Sequence, residues 1–528
     1  MATQARISTH NSVIRLPQDG PLLGWTRYDG DYVCAKLFAT VDDSDSLPAL
    51  ALLASYVNQQ GQRMFFGASR ASYPPDVNGS VPYLQYYVLE ICIAVEEFSK
   101  KGEICLEVLS FHTVLAVTLV QTVTELNTTS AYDGLKLHLS NLLAKRLRTL
   151  HDPSPESRSF ENRYDRIADE AIVTLRLPPK TTEKFKFIAT TCRYPGFAFE
   201  SQRVDAASFD IIANAKEYSD ASGMLMLGDQ IYADATASLF DNLTSIEKFQ
   251  ERYHRMFRSP GFAMAVRSIP CYMTGDDHEF SDSWSVPDDS LRKELFAAAQ
   301  QSYGIYQLSH SPFKGALNTP PFDYWFTSGP VAVYVMDTIS YRNTQVPGNE
   351  KIVSQLQLDN FEAWLKDSEG CKYVILATGA VVAPGAKSAL NANGETDVSR
   401  AQGFENWQAF DDQRKKLLKI VSDRVEKDGN TKILLISGDY HCAAIASVRR
   451  MKDDKEIAKA VVVPPAYAPM RYVNATPAKV AEKELTGDHK ITLDRVRDTK
   501  EGSGFAVITI DTNGEWVVEF ETIQVADI

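Results

Sequence analysis

The sequence lacks three features that would assign it to a common class of protein. It has no apolar run near the length of a membrane-spanning helix, and the run at residues 114–117 is typical of its longest. Residues 1–6 are polar and introduce no apolar export-signal core, so we expect a cytoplasmic protein. The net charge is −13 and no stripe of Lys and Arg is present, which argues against a nucleic-acid-binding surface.

Cysteine is also sparse, and its spacing argues against a disulfide framework. The seven cysteines are odd in number, scattered, and never form a Cys-x-x-Cys pair. We therefore expect reduced, buried thiols. Cys271 and Cys442 lie beside candidate motifs, and core positions are favoured for both.

The sequence does contain enough apolar residues for a large protein with more than one domain. Hydrophobic residues make up 44% of the 528 positions. Residues 1–180 are predicted to form an N-terminal β-rich domain with helical pieces. Its strand-like runs lie at residues 32–38, 84–89, 104–109 and 171–177. Its one clear amphipathic helix lies at residues 135–150.

Residues 181–528 have a different pattern, in which strand-like and helical segments alternate. A helix is predicted within residues 205–218 and another within 407–425. The chain ends in two alternating runs around Asn513-Gly514, which is a strong hairpin signal. This part is predicted to be an α/β domain.

The most informative segment is Leu-Gly-Asp-Gln-Ile-Tyr-Ala-Asp at residues 227–234. It follows an apolar run at residues 224–226 that predicts a buried strand, so Asp229 and Tyr232 would stand at a strand's carboxyl end. A carboxylate can bridge two cations, and a phenolate is a hard anionic ligand. The pair therefore indicates a two-metal hydrolytic site. The alternative is a strand-to-helix turn in which Asp229 only caps the helix.

Three further strand-like runs end in residues that can bind metal or phosphate. The run at 187–191 ends at Cys192 and Arg193, the run at 271–274 precedes Asp277 and His278, and the run at 433–437 precedes Asp439 and His441. Four such endings in one chain favour a shared site over four unrelated turns.

The order of these motifs resembles that of the PhoD-like alkaline phosphatases, distant relatives of the purple acid phosphatases in the metallophosphatase superfamily. Shorter segments match as well, at residues 192–196, 257–262 and 281–284. The resemblance covers about residues 185–450. It implies a four-layer α/β/β/α sandwich over residues 181–528 and a hydrolase that acts on a small-molecule phosphate ester.

The resemblance also implies a role for each motif residue. Asp229 would bridge two metals. The first metal, ferric iron in this family, would be bound by Cys192, Tyr232 and His441. The second metal, calcium in this family, would be bound by Asp277 and Asp439. The ligand types support this asymmetry, because thiolate, phenolate and imidazole favour a transition metal, whereas carboxylates suit Ca²⁺, Mg²⁺ or Mn²⁺.

In the expected mechanism, a hydroxide shared by the two metals attacks phosphorus in line with the ester oxygen. His278 is the candidate acid for the leaving oxygen, because an imidazole titrates near neutrality. The alternative is a structural histidine held by Glu279 or Asp276. Arg193 is the candidate clamp on a phosphate oxygen, and its alternative is a surface salt bridge.

Two alternatives to a phosphomonoesterase remain open. Loops at residues 282–292 and 380–401 would decide whether a monoester or a diester fits, so a phosphodiesterase or phospholipase D-like activity is the first alternative. The second is a non-catalytic binding protein on the same fold. Retention of every ligand type and of His278 argues against the second.

Overall fold

Two units, Met1–Leu177 and Pro178–Ile528, make up the chain in the computed structural model. The helix predicted at residues 135–150 lies outside the residues that the structure describes. Those residues are 14–15, 19–42, 48–60, 63–70, 84–112, 172–180, 185–195, 207–234, 245–286, 290–344, 350–401, 405–468, 480–497 and 502–524.

The first unit is built from two antiparallel sheets that share one apolar core. Leu37 and Val33 of one sheet belong to the same buried cluster as Leu106 and Val173 of the other. One sheet contains β1, β4, β5, β7 and β8, and the other contains β2, β3 and β6. The elements are β1 (Ile14–Arg15), β2 (Asp19–Asp29), β3 (Tyr32–Asp42), β4 (Pro48–Val57), β5 (Arg63–Arg70), β6 (Leu84–Ala94), α1 (Val95–Lys101), β7 (Ile104–His112) and β8 (Ile172–Leu175).

The expectation that all cysteines are reduced is wrong for one pair. Cys34 on β3 faces Cys92 on β6 directly across the antiparallel ladder, and a disulfide joins them. The two residues are 58 positions apart, so only the strand register brings them together. The other five cysteines are free thiols, and Cys271 and Cys442 are buried as expected.

The second unit is a mixed α/β structure with two large sheets, which confirms the predicted class. The strands are β9 (Lys186–Arg193), β10 (Gly223–Leu227), β11 (Cys271–Thr274), β12 (Tyr324–Ser328), β13 (Val331–Met336), β14 (Tyr373–Thr378), β15 (Lys432–Ser437), β16 (Ala443–Arg450), β17 (Lys455–Val462), β18 (Pro465–Tyr467), β19 (Lys483–Thr486), β20 (His489–Arg497), β21 (Gly502–Ile510) and β22 (Trp516–Gln524). The α-helices are α2 (Ala207–Asn214), α3 (Ile246–Phe257), α4 (Pro260–Ala265), α5 (Ser290–Tyr303), α6 (Gln355–Asp367), α7 (Val398–Ala401) and α8 (Asp411–Lys427).

The larger sheet has a parallel centre and antiparallel margins, whereas the smaller sheet is parallel on one side and antiparallel on the other. The smaller sheet runs in the order β11-β10-β9-β21-β22, with β18 also paired to β9. The larger runs β12-β13-β14-β15-β17-β16-β20-β19. β9, β10 and β11 are mutually parallel, as are β13, β14, β15 and β17. Central parallel strands are covered on both faces, which explains why the sequence of β10, β14 and β15 is almost continuously apolar.

Helices α6 and α8 cover one face of the larger sheet. Leu358 and Phe361 of α6 and Leu417 and Val421 of α8 join Leu376 of β14 in one buried cluster. α6 begins at a Ser354 cap whose hydroxyl accepts a hydrogen bond from the backbone N–H of Gln357. No helix among the described residues is both long enough and apolar enough to cross a bilayer.

The carboxyl ends of strands from both large sheets meet at one place. A Cβ atom on Gly438, after β15, would lie 2.3 Å from the Leu227 carbonyl oxygen of β10 and 2.3 Å from Thr191 Oγ1 of β9. Gly228 has a φ of +86°, and a Cβ there would lie 2.5 Å from Asp276 Cβ. Only glycine permits these approaches. The turns after β9, β10, β11 and β15 are therefore brought into contact, and they carry the motif residues.

Candidate metal centre

The predicted site residues stand at the carboxyl ends of four strands. Cys192 is at the end of β9, Asp229 follows β10, Asp277 follows β11, and Asp439 and His441 follow β15. Because the first three strands belong to the smaller sheet and β15 to the larger, the site lies where the two sheets meet. This placement matches the strand ends predicted from the apolar runs.

Four of these residues have a left-handed backbone that non-glycine residues rarely adopt. The φ angles are 48° at Cys192, 57° at Asp229, 67° at Asp439 and 48° at His441. Each such conformation costs about 1–3 kcal/mol and persists only where the surroundings hold it in place. The strain is thus concentrated at the residues whose side chains converge.

Cys192, Asp229, Tyr232 and His441 form one buried group. Cys192 Sγ donates to Asp229 Oδ2 at 3.4 Å. Tyr232 Oη lies 3.2 Å from His441 Nε2 and donates to Asp229 Oδ2 at 3.5 Å. Ligand atoms of Cys192, Asp229 and His441 all lie within 4.8 Å of one another. The four residues predicted for the first metal are therefore in one place.

The pKa values of the acidic side chains in this group indicate that a cation would stabilise them. Burial, reinforced by the Asp229 carboxylate, raises the pKa of the Cys192 thiol well above its usual value. Burial also raises the pKa of Tyr232, with further contributions from Cys192 and Asp229. Three potential anions so close together are stable as anions only beside a positive charge. The donor set of sulfur, phenol oxygen, carboxylate and imidazole fits a transition metal.

The residues predicted for the second metal are gathered only in part. Asp277 lies within 4.8 Å of Asp229 and His278, and within the same distance of Asp282 and Glu405. Asp439 belongs to none of these groups of potential ligands among the described residues. Asp439 is only partly buried, but it lies nearby, since the carboxylates of Asp276, Glu405 and Asp229 add to desolvation in raising its pKa. Glu405 is thus a further candidate oxygen ligand at this side of the site.

His278 contacts Asp234, an acidic residue to which the sequence analysis assigned no role. Its Nδ1 lies 2.8 Å from Asp234 Oδ1, and its ring packs against that of Tyr232, with centroids 4.2 Å apart and planes tilted by 31°. Its backbone N–H donates to Asp229 Oδ1 at 3.3 Å. Burial lowers the pKa of His278, but the carboxylates of Asp277 and Asp234 outweigh burial and raise it well above its usual value.

Glu279, considered from the sequence as a holder of His278, instead joins the turns after β10 and β11. Its Oε2 accepts from the backbone N–H groups of Asp229 at 2.9 Å and Asp276 at 2.8 Å. Its Oε1 accepts from the Gln230 backbone at 2.6 Å and from Gln307 Nε2 at 3.0 Å. Four donors on one buried carboxylate fix the backbone from which Asp229 projects.

Two further features lie next to these turns, a π-helical segment and a buried ion pair. Gln307 belongs to a π-helical segment, Gly304–Leu308, of the kind that is frequent at functional sites. Asp276, the other residue considered as a holder of His278, makes a close ion pair with the fully buried Arg342. Arg342 Nη1 also lies 3.6 Å from Glu405 Oε2. Arg342 therefore places a positive charge beside the carboxylates on the Asp277 side.

Arg193 is not a surface residue, so the surface salt bridge considered from the sequence is wrong. Its side chain is buried, and its guanidinium lies over the rings of Phe209 and Phe262, 5.1 and 4.7 Å from their centroids. Nη2 donates to the Met256 carbonyl oxygen at 3.3 Å. Arg193 also lines a small pocket that is shared with Tyr232.

The geometry can be compared with known proteins. The family model described as "PhoD-like phosphatase" matches residues 197–515. The chain belongs to the PhoD-like phosphatase family. It is therefore a hydrolase that acts on phosphoric ester bonds. The matched range contains all the predicted site residues except Cys192 and Arg193, which precede it. No curated protein matches the chain.

The solved structure of PhoD has a similar fold. It aligns with a TM-score of 0.57 over 95% of this chain and 88% of that chain, at 12% sequence identity. An identity this low supports the fold alone. The mixed α/β architecture of a PhoD-like phosphatase is therefore supported by a structural comparison that is independent of the motifs.

Sequence analysis did not assign Asp234, Glu405 or Arg342 to the site, and only Asp234 lay in a segment that pointed to it. Asp234 lies in the same segment as Asp229 and Tyr232, so a polar partner for a strand-end histidine could have been sought there. Glu405 and Arg342 follow no motif, and their partners are far away in the sequence. Only the folded chain brings them to the site.

Proposed function

We propose that this PhoD-like phosphatase uses two metal ions to hydrolyse a phosphoric ester. The observation that carries the proposal is the convergence of Cys192, Asp229, Tyr232 and His441 from two sheets into one buried group. Four polar side chains buried this close together do not stabilise an apolar core. A bound cation accounts for all of them.

The proposed ligands follow the chemistry of the donors. Cys192, Tyr232 and His441 would hold the first metal, proposed to be Fe³⁺. Asp277 and Asp439 would hold the second, proposed to be Ca²⁺ or else Mg²⁺ or Mn²⁺, with Asp229 between the two. When bound, such ions lower the pKa of a water molecule and polarise the phosphoryl oxygens. Glu405 is proposed as a further oxygen donor to the second metal, because it lies with Asp277 and Asp282.

His278 is proposed to give a proton to the leaving oxygen. In the proposed protonated state, Nδ1 of His278 donates a hydrogen bond to Asp234. Nε2 then points away from Asp234 and is the proposed donor to the ester oxygen. The Asp234 carboxylate at Nδ1 raises the pKa of His278 and so favours the protonated imidazole that an acid requires. Arg193 is proposed to place its positive charge near the phosphate of the substrate. The basis is that Arg193 and Tyr232 line the same pocket.

The finer architecture is proposed in the same terms. We assign residues 181–528 to a four-layer α/β/β/α catalytic domain and residues 1–180 to an N-terminal β-rich domain. Helices α6 and α8 on one face of the larger sheet, and the meeting of two sheets at Gly438, support the layered arrangement. The shared core of the two antiparallel sheets supports the N-terminal assignment.

A substrate screen on metal-analysed protein tests the proposed function. Purified protein would be assayed on nitrophenyl phosphate, a monoester, and on bis(nitrophenyl) phosphate, a diester. We expect hydrolysis of at least one ester, its loss after treatment with a chelator, and its return with iron and calcium. The ratio of the two rates distinguishes a phosphomonoesterase from a phosphodiesterase. Hydrolysis of neither ester after reconstitution would contradict the proposal and favour a non-catalytic binding protein.

A further inference from the structure

The turn after β15 carries proposed ligands of both metals in a strained conformation. Asp439 is proposed for the second metal and His441 for the first, and their φ angles, 67° and 48°, are both left-handed. A backbone strained in this way persists only where neighbouring contacts hold it in place. The contacts of Tyr440, the residue between the two ligands, show what holds this turn.

The side chain of Tyr440 is anchored in the protein interior. Its ring packs in a buried cluster with Val381, Val462 and Val480. Its Oη accepts a hydrogen bond from Asn406 Nδ2 at 2.5 Å. Packing thus fixes the ring and the hydrogen bond fixes the far end of the side chain, so that Tyr440 can hold the residues on either side of it.

Asn406, the hydrogen-bond donor, is itself rigidly placed. Its Oδ1 accepts from the Gln408 backbone N–H at 2.9 Å and caps the 3₁₀ turn Trp407–Phe410, which leads directly into α8. Trp407 is fully buried, and its backbone N–H donates to the Val381 carbonyl oxygen at 3.0 Å. Asn406 therefore uses one side-chain atom within its own turn and the other to reach across the fold.

The same hydrogen bond connects a second segment that carries a candidate ligand. Asn406 directly follows Glu405, which lies with other potential ligands of the second metal. Oε2 of Glu405 is 3.6 Å from Nη1 of the buried Arg342. The single bond between Asn406 and Tyr440 thus joins the segment that carries Glu405 to the turn after β15.

We propose that Asn406 and Tyr440 are positioning residues for the metal ligands. Their hydrogen bond holds the strained turn, so that Asp439 and His441 are presented to different metals without first having to be ordered. Neither Asn406 nor Tyr440 touches a metal or the substrate in this role. The inference rests on the proposed function, because it takes Asp439 and His441 as ligands.

A double-mutant cycle tests the pair. Tyr440→Phe removes only the hydroxyl, Asn406→Leu removes the amide at nearly constant shape, and a third variant carries both changes. Metal-free protein would be titrated with Co²⁺, which accepts thiolate and imidazole as iron does, and with Ca²⁺. Absorbance of the cobalt–thiolate bond to Cys192 reports the first titration, and calorimetry reports the second. The free energy of unfolding of each metal-free variant would be measured as well.

Tyr334→Phe is the matched control. Tyr334 is also a buried tyrosine whose hydroxyl bonds a side chain, since its Oη donates to Asp323 Oδ2 at 2.9 Å. It lies on β13 of the larger sheet and belongs to neither segment that the pair connects. This variant should lose stability yet bind both ions like the wild type.

We expect each single variant of the pair to bind both ions about fivefold or more weakly than the wild type, which is the size of one buried hydrogen bond. Because both changes break the same bond, the double variant should be no weaker than the weaker single variant. Unchanged binding of either ion in Tyr440→Phe, additive losses in the double variant, or an equal loss in Tyr334→Phe would overturn the pair. A wild type that binds neither ion would instead overturn the proposed function, and the pair with it.

Discussion

Replacing Glu279 by Gln should destabilise the catalytic unit and displace Asp229. The carboxylate is buried, and each of its oxygens accepts two N–H donors. An amide has one oxygen and one NH₂ group. Whichever way the amide is oriented, its NH₂ group faces two buried donors that then lack an acceptor.

The magnitude follows from that count of donors. A buried donor left without an acceptor costs about 1–3 kcal/mol, so two such donors give an expected loss of about 2–6 kcal/mol. Native domains are stable by only about 5–15 kcal/mol, so this is a large fraction of the total. Three of the four donors are backbone N–H groups of the turns after β10 and β11. The turn that carries Asp229 should therefore lose its fixed position together with the stability.

Urea unfolding followed by tryptophan fluorescence measures this loss. The signal reports mainly on the second unit, because of the six tryptophans only Trp25 lies in the first. Glu362→Gln is the matched control, since Glu362 pairs with Lys366 on an exposed helix surface. The control should change the free energy of unfolding by less than about 0.5 kcal/mol. An equally small change in Glu279→Gln would refute the role assigned to Glu279.

Three further predictions follow from the site and from the corrected cysteine pair. Tyr232→Phe should abolish the visible absorbance expected of a ferric–phenolate bond, and absorbance that survives in this variant would exclude Tyr232 as the ligand. His278→Ala should slow an alkyl ester more than a nitrophenyl ester, by up to about 10²–10⁴-fold, whereas equal losses would indicate that His278 only positions other groups. Titration of the unfolded, unreduced protein should find five thiols, and seven would show that Cys34 and Cys92 are not joined.

The sequence allowed the site to be predicted wherever a ligand directly ends a strand. Apolar runs mark the buried strands, and parallel strands in one sheet deliver their carboxyl ends to a common edge. Cys192, Asp229 and Asp277 could therefore be predicted to lie together before any contact was known, whereas His441 reaches them from the larger sheet. The hairpin around Asn513-Gly514 is a local signal of the same kind, and β21 pairs with β22 as predicted.

The remaining contacts depend on tertiary structure that no local pattern encodes. Arg342 reaches Asp276, 66 positions earlier, only because the strands preceding both residues end in the same region. Cys34 meets Cys92 through the exact register of two long strands. Arg193 was expected in solvent or on phosphate, yet two aromatic rings from α2 and α4 cover its guanidinium. In each case the decisive neighbour is distant in sequence.

The central claim is that Asp229 serves two metal ions at once, and elemental analysis of Asp229→Asn tests it most directly. The variant and the wild type would be reconstituted with iron and calcium, freed of loosely bound ions, and analysed alongside a nitrophenyl ester assay. A bridging carboxylate predicts that the variant loses occupancy of both metals and nearly all turnover, while its free energy of unfolding without metals changes little. Full occupancy of both metals with near-wild-type hydrolysis in Asp229→Asn would contradict the claim.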